Sequence, residues 1–163
     1  MQIVLVSGLS GSGKSIAIAV LEDAGYYCVD NLPLAMLTAL VAHLEQVGYT
    51  RIAIAIDARS GGSFTQLPAV VETLRMKGAD LRIIFLEAKT HSLVKRFSET
   101  RRRHPLSSDT VSLAESIEME RELLDEVAEL GHRIDTSDLS ASALRLWIQD
   151  LILQDRSRIT LLF

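Results

Sequence analysis

Short apolar runs alternate along the chain with stretches whose apolar residues recur every three to four positions. The runs at residues 3–6, 27–29, 52–56 and 81–86, and a shorter one at 133–134, are β-rich and predict strands. The stretches between them predict helices. The first covers about residues 14–23 and stops at Gly25. The second carries Leu34, Leu37, Val41 and Leu44 on one face and stops at Gly48, and the third covers roughly residues 64–76 and stops at Gly78. A fourth runs from about residue 90 to 100. A fifth opens with the capping box Ser112-Leu113-Ala114-Glu115 and continues the stripe Leu113, Ile117, Leu124, Val127; a sixth shows Leu144, Ile148, Leu151 and Ile152. Such alternation is the signature of βαβ units and predicts an α/β fold around a mostly parallel five-stranded sheet. Residues 159–163 form one further strand-like run that ends with the chain. We expect residues 1–155 to make one domain and residues 156–163 to begin a connection to a missing C-terminal domain.

Directly after the first strand stand Gly8, Leu9, Ser10, Gly11, Ser12, Gly13, Lys14 and Ser15, a full Gly-x-x-x-x-Gly-Lys-Ser phosphate loop. Its glycines let the backbone curl until several N–H groups point at phosphate oxygens. Lys14 would reach the β and γ phosphates, and Ser15 would offer its hydroxyl to Mg²⁺. A helix starting near Lys14 adds its N-terminal partial positive charge. The motif predicts a nucleoside triphosphate site and refines the fold to a P-loop NTPase/kinase-like three-layer sandwich.

Composition narrows the picture further. The 163 residues fit one compact domain, with 48% hydrophobic and 23% charged residues, as in ordinary globular proteins. A net charge of −4 argues against non-specific nucleic-acid binding by the whole surface. The single cysteine, Cys28, has no partner for an internal disulfide and reads as a buried, inert thiol. No stretch reaches the ~18 apolar residues of a membrane span, and residues 3–6 are too short for a signal peptide. A soluble protein of the reducing cytoplasm is expected.

In open α/β sheets the ligand lies beyond the carboxyl ends of the strands. The third strand ends in Ile56-Asp57, a Walker B form whose carboxylate would hold the Mg²⁺ shell through water, with Arg59 two residues on; a turn before Ser60-Gly61-Gly62 is the plainer reading. The second ends at Asp30-Asn31-Leu32-Pro33. Asp30 would either cap the next helix or act as a second carboxylate that accepts a proton. After the fourth strand, Lys95, Arg96, Arg101, Arg102 and Arg103 precede His104-Pro105. They resemble the hinged lid of a small P-loop kinase, where arginine forks clamp a transferring phosphoryl group; a solvated basic face is the alternative. The acidic positions of the fifth helix, Glu115, Glu118, Glu120, Glu122, Asp125, Glu126 and Glu129, would pair with that patch. Asp135-Thr136-Ser137 would make either a loop that touches the base or an ordinary turn. The four histidines have no metal-ligand spacing with Cys28 or with one another, and Trp147, at helical spacing from Leu144 and Leu151, reads as core.

Several of these blocks together resemble the RapZ-type P-loop nucleotide-binding proteins, bacterial RNase adapter proteins. They are residues 8–15, Tyr27-Cys28-Val29-Asp30-Asn31-Leu32-Pro33, Asp57-Ala58-Arg59, Phe85-Leu86, the run from Glu99 to Ser107 with its Thr-Arg-Arg-Arg-His-Pro-Leu core, and Ile134-Asp135-Thr136-Ser137. The resemblance covers essentially the whole chain. It implies ATP contact at Gly8 to Ser15, a GTP-contact segment at Asp57, Ala58, Arg59 and Ser60, and weak ATP and GTP hydrolysis. Lys14, Asp57, Asp30, Arg101 and Arg102 are the catalytic candidates, and Ser15 and Asp57 those for Mg²⁺. In the best-known members the protein delivers a small regulatory RNA to an endoribonuclease and so controls amino-sugar synthesis. That role is tied to a C-terminal domain that would begin where this chain stops, and the full-length protein is expected to be a homo-oligomer. Two other readings stay open: a small-molecule kinase using the lid arginines, and a non-enzymatic RNA-binding or assembly module.

Overall fold

The computed structural model describes residues 1–58, 64–100 and 103–161, with side chains as far as residue 153. Five strands, β1 (Gln2–Gly8), β2 (Tyr27–Val29), β3 (Arg51–Ala55), β4 (Asp80–Glu87) and β5 (His132–Asp135), form one sheet in the order β2-β3-β1-β4-β5. Every neighbouring pair is parallel. β1 is central, in register with β3 from Gln2 opposite Arg51 and with β4 from Gln2 opposite Asp80 to Gly8 opposite Leu86. All strand ends that follow the chain direction therefore open on one rim.

Helices α1 (Lys14–Asp23), α2 (Leu37–Val47), α3 (Leu67–Met76), α4 (Thr90–Thr100), α5 (Leu113–Leu123), α6 (Asp125–Leu130) and α7 (Ala141–Leu161) cover the sheet, with one 3₁₀ turn at Leu34–Met36 before α2. The alternation of strand side chains divides the core in two. Ile3, Leu5, Ile52, Ile54, Ile83 and Phe85 pack with residues of α2 to α6 on one face. Val4, Val6, Ala53, Ile84, Leu86 and Ile134 pack with α1 and α7 on the other. Burial on both faces explains why the central strands read as unbroken apolar runs. The result is the expected α/β three-layer sandwich.

Most local signals act as their chemistry predicts. Ser112 caps α5 by accepting the Glu115 backbone N–H at 3.2 Å, and α2 ends at Gly48 with φ of 104°.

Five expectations need correction. The fifth predicted helix is two: the chain breaks at Leu124, and α6 restarts at Asp125 to keep Val127 and Ala128 in the core. The third starts at Leu67, with Pro68 in its first turn, although Phe64 before it is buried. Residues 159–161 belong to α7 and form no strand, while the last two residues of that predicted run lie outside the described residues. Trp147 is 42% exposed, because Leu144, Ile148 and Ile152 take the buried face of α7. Cys28 is half-buried, with its sulfur 3.6 Å from the carbonyl oxygens of Ile18 and Tyr26.

Candidate functional site

The loop from Gly8 to Ser15 leaves β1 at the centre of the rim and turns into α1. Gly13 precedes the helix in the left-handed region, at φ 115°, so the loop's amides gather at the N-terminus of α1. Leu9 contributes only backbone to the loop, since its side chain is in the core. The Lys14 ammonium donates to the carbonyl oxygens of Gly8 at 2.7 Å and Leu9 at 3.1 Å, which keeps it folded over the loop. Ser12 closes the turn from inside, its hydroxyl donating to the Leu9 carbonyl at 2.5 Å.

Each residue from Ser10 to Gly13 is held by a distant part of the chain. Ser10 gives its backbone N–H to Glu120 Oε1 at 2.7 Å and its hydroxyl to Glu120 Oε2 at 2.6 Å. Gly11 gives its carbonyl to the Arg96 guanidinium at 3.0 Å, and a β-carbon there would stand 3.3 Å from the Phe97 ring. The Ser12 carbonyl accepts the Thr136 hydroxyl at 2.7 Å. Gly13 abuts Leu144 so closely that a β-carbon there would stand 2.6 Å from the Leu144 side chain. A cavity of about 450 Å³ opens beside this loop. Its walls include Ser10, Gly11, Gly13, Lys14, Ser15, Asp57, Arg96, Phe97, Glu99, Thr100, Arg103 and Pro105.

Asp57 is buried just beyond β3 and lines the same cavity as Lys14 and Ser15. Ala58 follows it, half-buried; Arg59 and Ser60 lie outside the described residues. Asp30 is exposed at the end of β2 and is not among the cavity-lining residues. No side chain caps the 3₁₀ turn or α2, so Asp30 and Asn31 do not cap there, and Asn31 instead takes a left-handed φ of 56°. Arg101 and Arg102 lie outside the described residues.

The rest of the basic segment divides into separate roles. Arg96 is half-buried and braces the phosphate loop, donating to the Thr136 hydroxyl at 3.1 Å and to the Thr136 carbonyl as well as to Gly11. Arg103 stays largely exposed at the cavity wall, its Nε donating to the Ser107 hydroxyl at 2.9 Å. His104 is fully buried. Its Nδ1 accepts the Leu106 backbone N–H at 3.0 Å, so the ring's proton sits on Nε2 and points at Glu120 Oε1, 3.2 Å away. Asp135 takes the turn alternative, accepting the Ser137 backbone N–H at 2.9 Å and hydroxyl at 2.6 Å. These bonds hold its carboxyl below the usual range.

Glu120 is the residue that sequence reasoning misplaced. Expected among the surface carboxylates of the fifth helix that pair with the basic patch, it meets only His104 of that segment and is fully buried under the phosphate loop. Burial raises its carboxyl pKa, but hydrogen bonds from His104 and Ser10, together with the Lys14 charge, outweigh burial and hold the carboxyl below its ordinary value. One signal was available: Glu120 sits three residues after Ile117 and four before Leu124, on the apolar stripe itself.

A parallel sheet with a phosphate loop after its central strand defines a P-loop kinase-like α/β protein. Two solved structures share this architecture. Shikimate kinase from Acinetobacter baumannii in complex with shikimate matches at a TM-score of 0.59 and 19% identity, covering 94% of this chain and 93% of that one. YorR protein from Bacillus subtilis in complex with phosphorylated GDP matches at a TM-score of 0.61 and 13% identity, covering 95% and 98%. Within this class the chain belongs to the family of RapZ-like N-terminal domains, whose model matches residues 1–156. A nucleotide-binding protein from Thiobacillus denitrificans is 80% identical over all 163 residues, and one from Azoarcus sp. is 64% identical over 152 residues, or 93% of this chain. The chain spans 59% and 52% of the lengths of these two relatives.

Proposed function

We propose that this domain binds ATP and GTP with Mg²⁺ and hydrolyses them slowly, as a regulatory module. The observation that carries the reading is the convergence of Lys14, Ser15 and Asp57 on one cavity beside the amides at the start of α1. The hydroxyl of Ser15 and the carboxylate of Asp57 are hard oxygen donors and fit Mg²⁺. Such an ion neutralises phosphate charge when bound. The loop amides and Lys14 bind and orient the phosphates, and Arg96 holds the loop in shape. Asp57, Ala58, Arg59 and Ser60 form the second nucleotide-contact segment. Slow turnover is consistent with Asp30 not being among the residues that line the cavity.

In the longer protein, the family resemblance supports coupling of this module to delivery of a small regulatory RNA to an endoribonuclease, in the cytoplasm and as a homo-oligomer. No helix among the described residues is long and apolar enough to cross a membrane.

The test is calorimetric titration of Mg-ATP and Mg-GTP into the wild type and Lys14→Ala, followed by a phosphate-release assay on the same samples. Saturable binding that is lost in Lys14→Ala, with slow release, is expected. A wild type that binds neither nucleotide would overturn the reading. One observation favours a kinase instead: beyond Lys14 the cavity continues to Glu99 and Arg103, which leaves room for an acceptor. ADP formation that depends on an added sugar or nucleoside would support that reading.

A further inference from the structure

A buried carboxylate beside an anion-binding loop is costly twice over. Removing a carboxylate from water costs several kcal/mol, and its charge opposes that of a phosphate. Glu120 nevertheless stands beneath the loop, with both oxygens engaged by Ser10 and one also by His104. An apolar residue would fill a core position on α5 without this cost, as Ile117 on the same helix and Leu124 just after it do.

What the carboxylate does that a leucine would not is geometric. It takes the Ser10 N–H and hydroxyl, so the start of the loop's curve is tied from below to α5. The bonds continue outward. His104 hands its backbone carbonyl to the Ser107 N–H at 3.0 Å and hydroxyl at 2.7 Å, and the same hydroxyl accepts from Arg103 Nε at the cavity wall.

We propose that Glu120 is a positioning residue for the phosphate loop, setting Ser10 directly and Arg103 through His104, so that loop and arginine are held in one arrangement. The inference deepens the nucleotide-binding reading and rests on it.

The test is the affinity for Mg-ATP in the wild type, Glu120→Gln, Ser10→Ala and the double variant, with circular dichroism melts confirming that each is folded at the temperature of titration. The amide of Glu120→Gln turns one acceptor into a donor facing Ser10 or His104. About tenfold weaker binding is expected, the effect of losing one charge-assisted pair. The double variant should bind no more weakly than Glu120→Gln, because both changes cut the same link. Wild-type affinity in folded Glu120→Gln, or losses that multiply in the double variant, would overturn the inference and leave the nucleotide site standing. If Glu120→Gln does not fold, Ser10→Ala decides: about threefold weaker binding supports the link, and unchanged affinity removes it. A wild type that binds no ATP would instead sink the reading on which the inference rests.

Discussion

Gly8 and Leu86 face each other at the end of the β1–β4 ladder, and no side chain fits between them: a β-carbon on Gly8 would lie 2.3 Å from the Leu86 carbonyl oxygen. The obstacle is backbone in the middle of the sheet. The phosphate loop can therefore leave β1 at this point only because residue 8 is glycine. Gly8→Ala must move β4 or the loop, and we expect it to cost about 2–4 kcal/mol of stability. Denaturant unfolding of the variant against the wild type measures this, and an unchanged midpoint would contradict the close approach.

Thr136 ties the segment after β5 to the loop by donating to the Ser12 carbonyl, and both residues are buried. Thr136→Val keeps the shape and removes the donor. A loss of about 1–2 kcal/mol is expected from the stranded carbonyl. Weaker Mg-ATP binding should accompany it. Thermal unfolding and calorimetry on one preparation check both halves; a variant with wild-type stability would show that the carbonyl has another donor.

The Glu120 carboxyl is held below its ordinary value of 4.5 by His104, Ser10 and Lys14 despite its burial. The unfolded chain therefore takes up the proton first as pH falls. The stabilisation is fully present above the ordinary carboxylate value and is lost as pH drops through the lower folded value. The melting temperature of the wild type should accordingly approach that of Glu120→Gln over the interval in which pH falls below the ordinary carboxylate value. A gap between the two that stays constant across that interval would refute the assignment.

Cys28 has its thiol pushed up to about 11, first by burial and then by the nearby Glu22 carboxylate. At pH 8 only about one molecule in a thousand carries the thiolate. Alkylation by iodoacetamide should be far slower than for a free thiol under the same conditions. Labelling as fast as that of glutathione would show an exposed, ordinary sulfur.

The strands and most helices could be read from the chain because periodicity and caps are local. The Ser112 cap and the Gly48 stop lie within a turn of the elements they bound. The division of α5 from α6 at Leu124 was hidden, since one apolar stripe runs through both helices. Residues 159–161 failed for a related reason: a short β-branched run reads alike in a strand and at the end of a helix.

A phosphate loop after a buried strand, a parallel sheet and Asp57 just past the third strand are legible in the chain alone. The loop and Asp57 follow from a few contiguous residues, and the parallel sheet from the strand–helix alternation along the chain. Long-range packing set the rest: Glu120 lies buried under the loop, Arg96 braces Gly11, and Thr136 holds Ser12. The Ser10–Glu120 contact joins residues 110 positions apart. A charged residue on a helix looks solvated until the donors that satisfy it are brought to it from elsewhere in the chain.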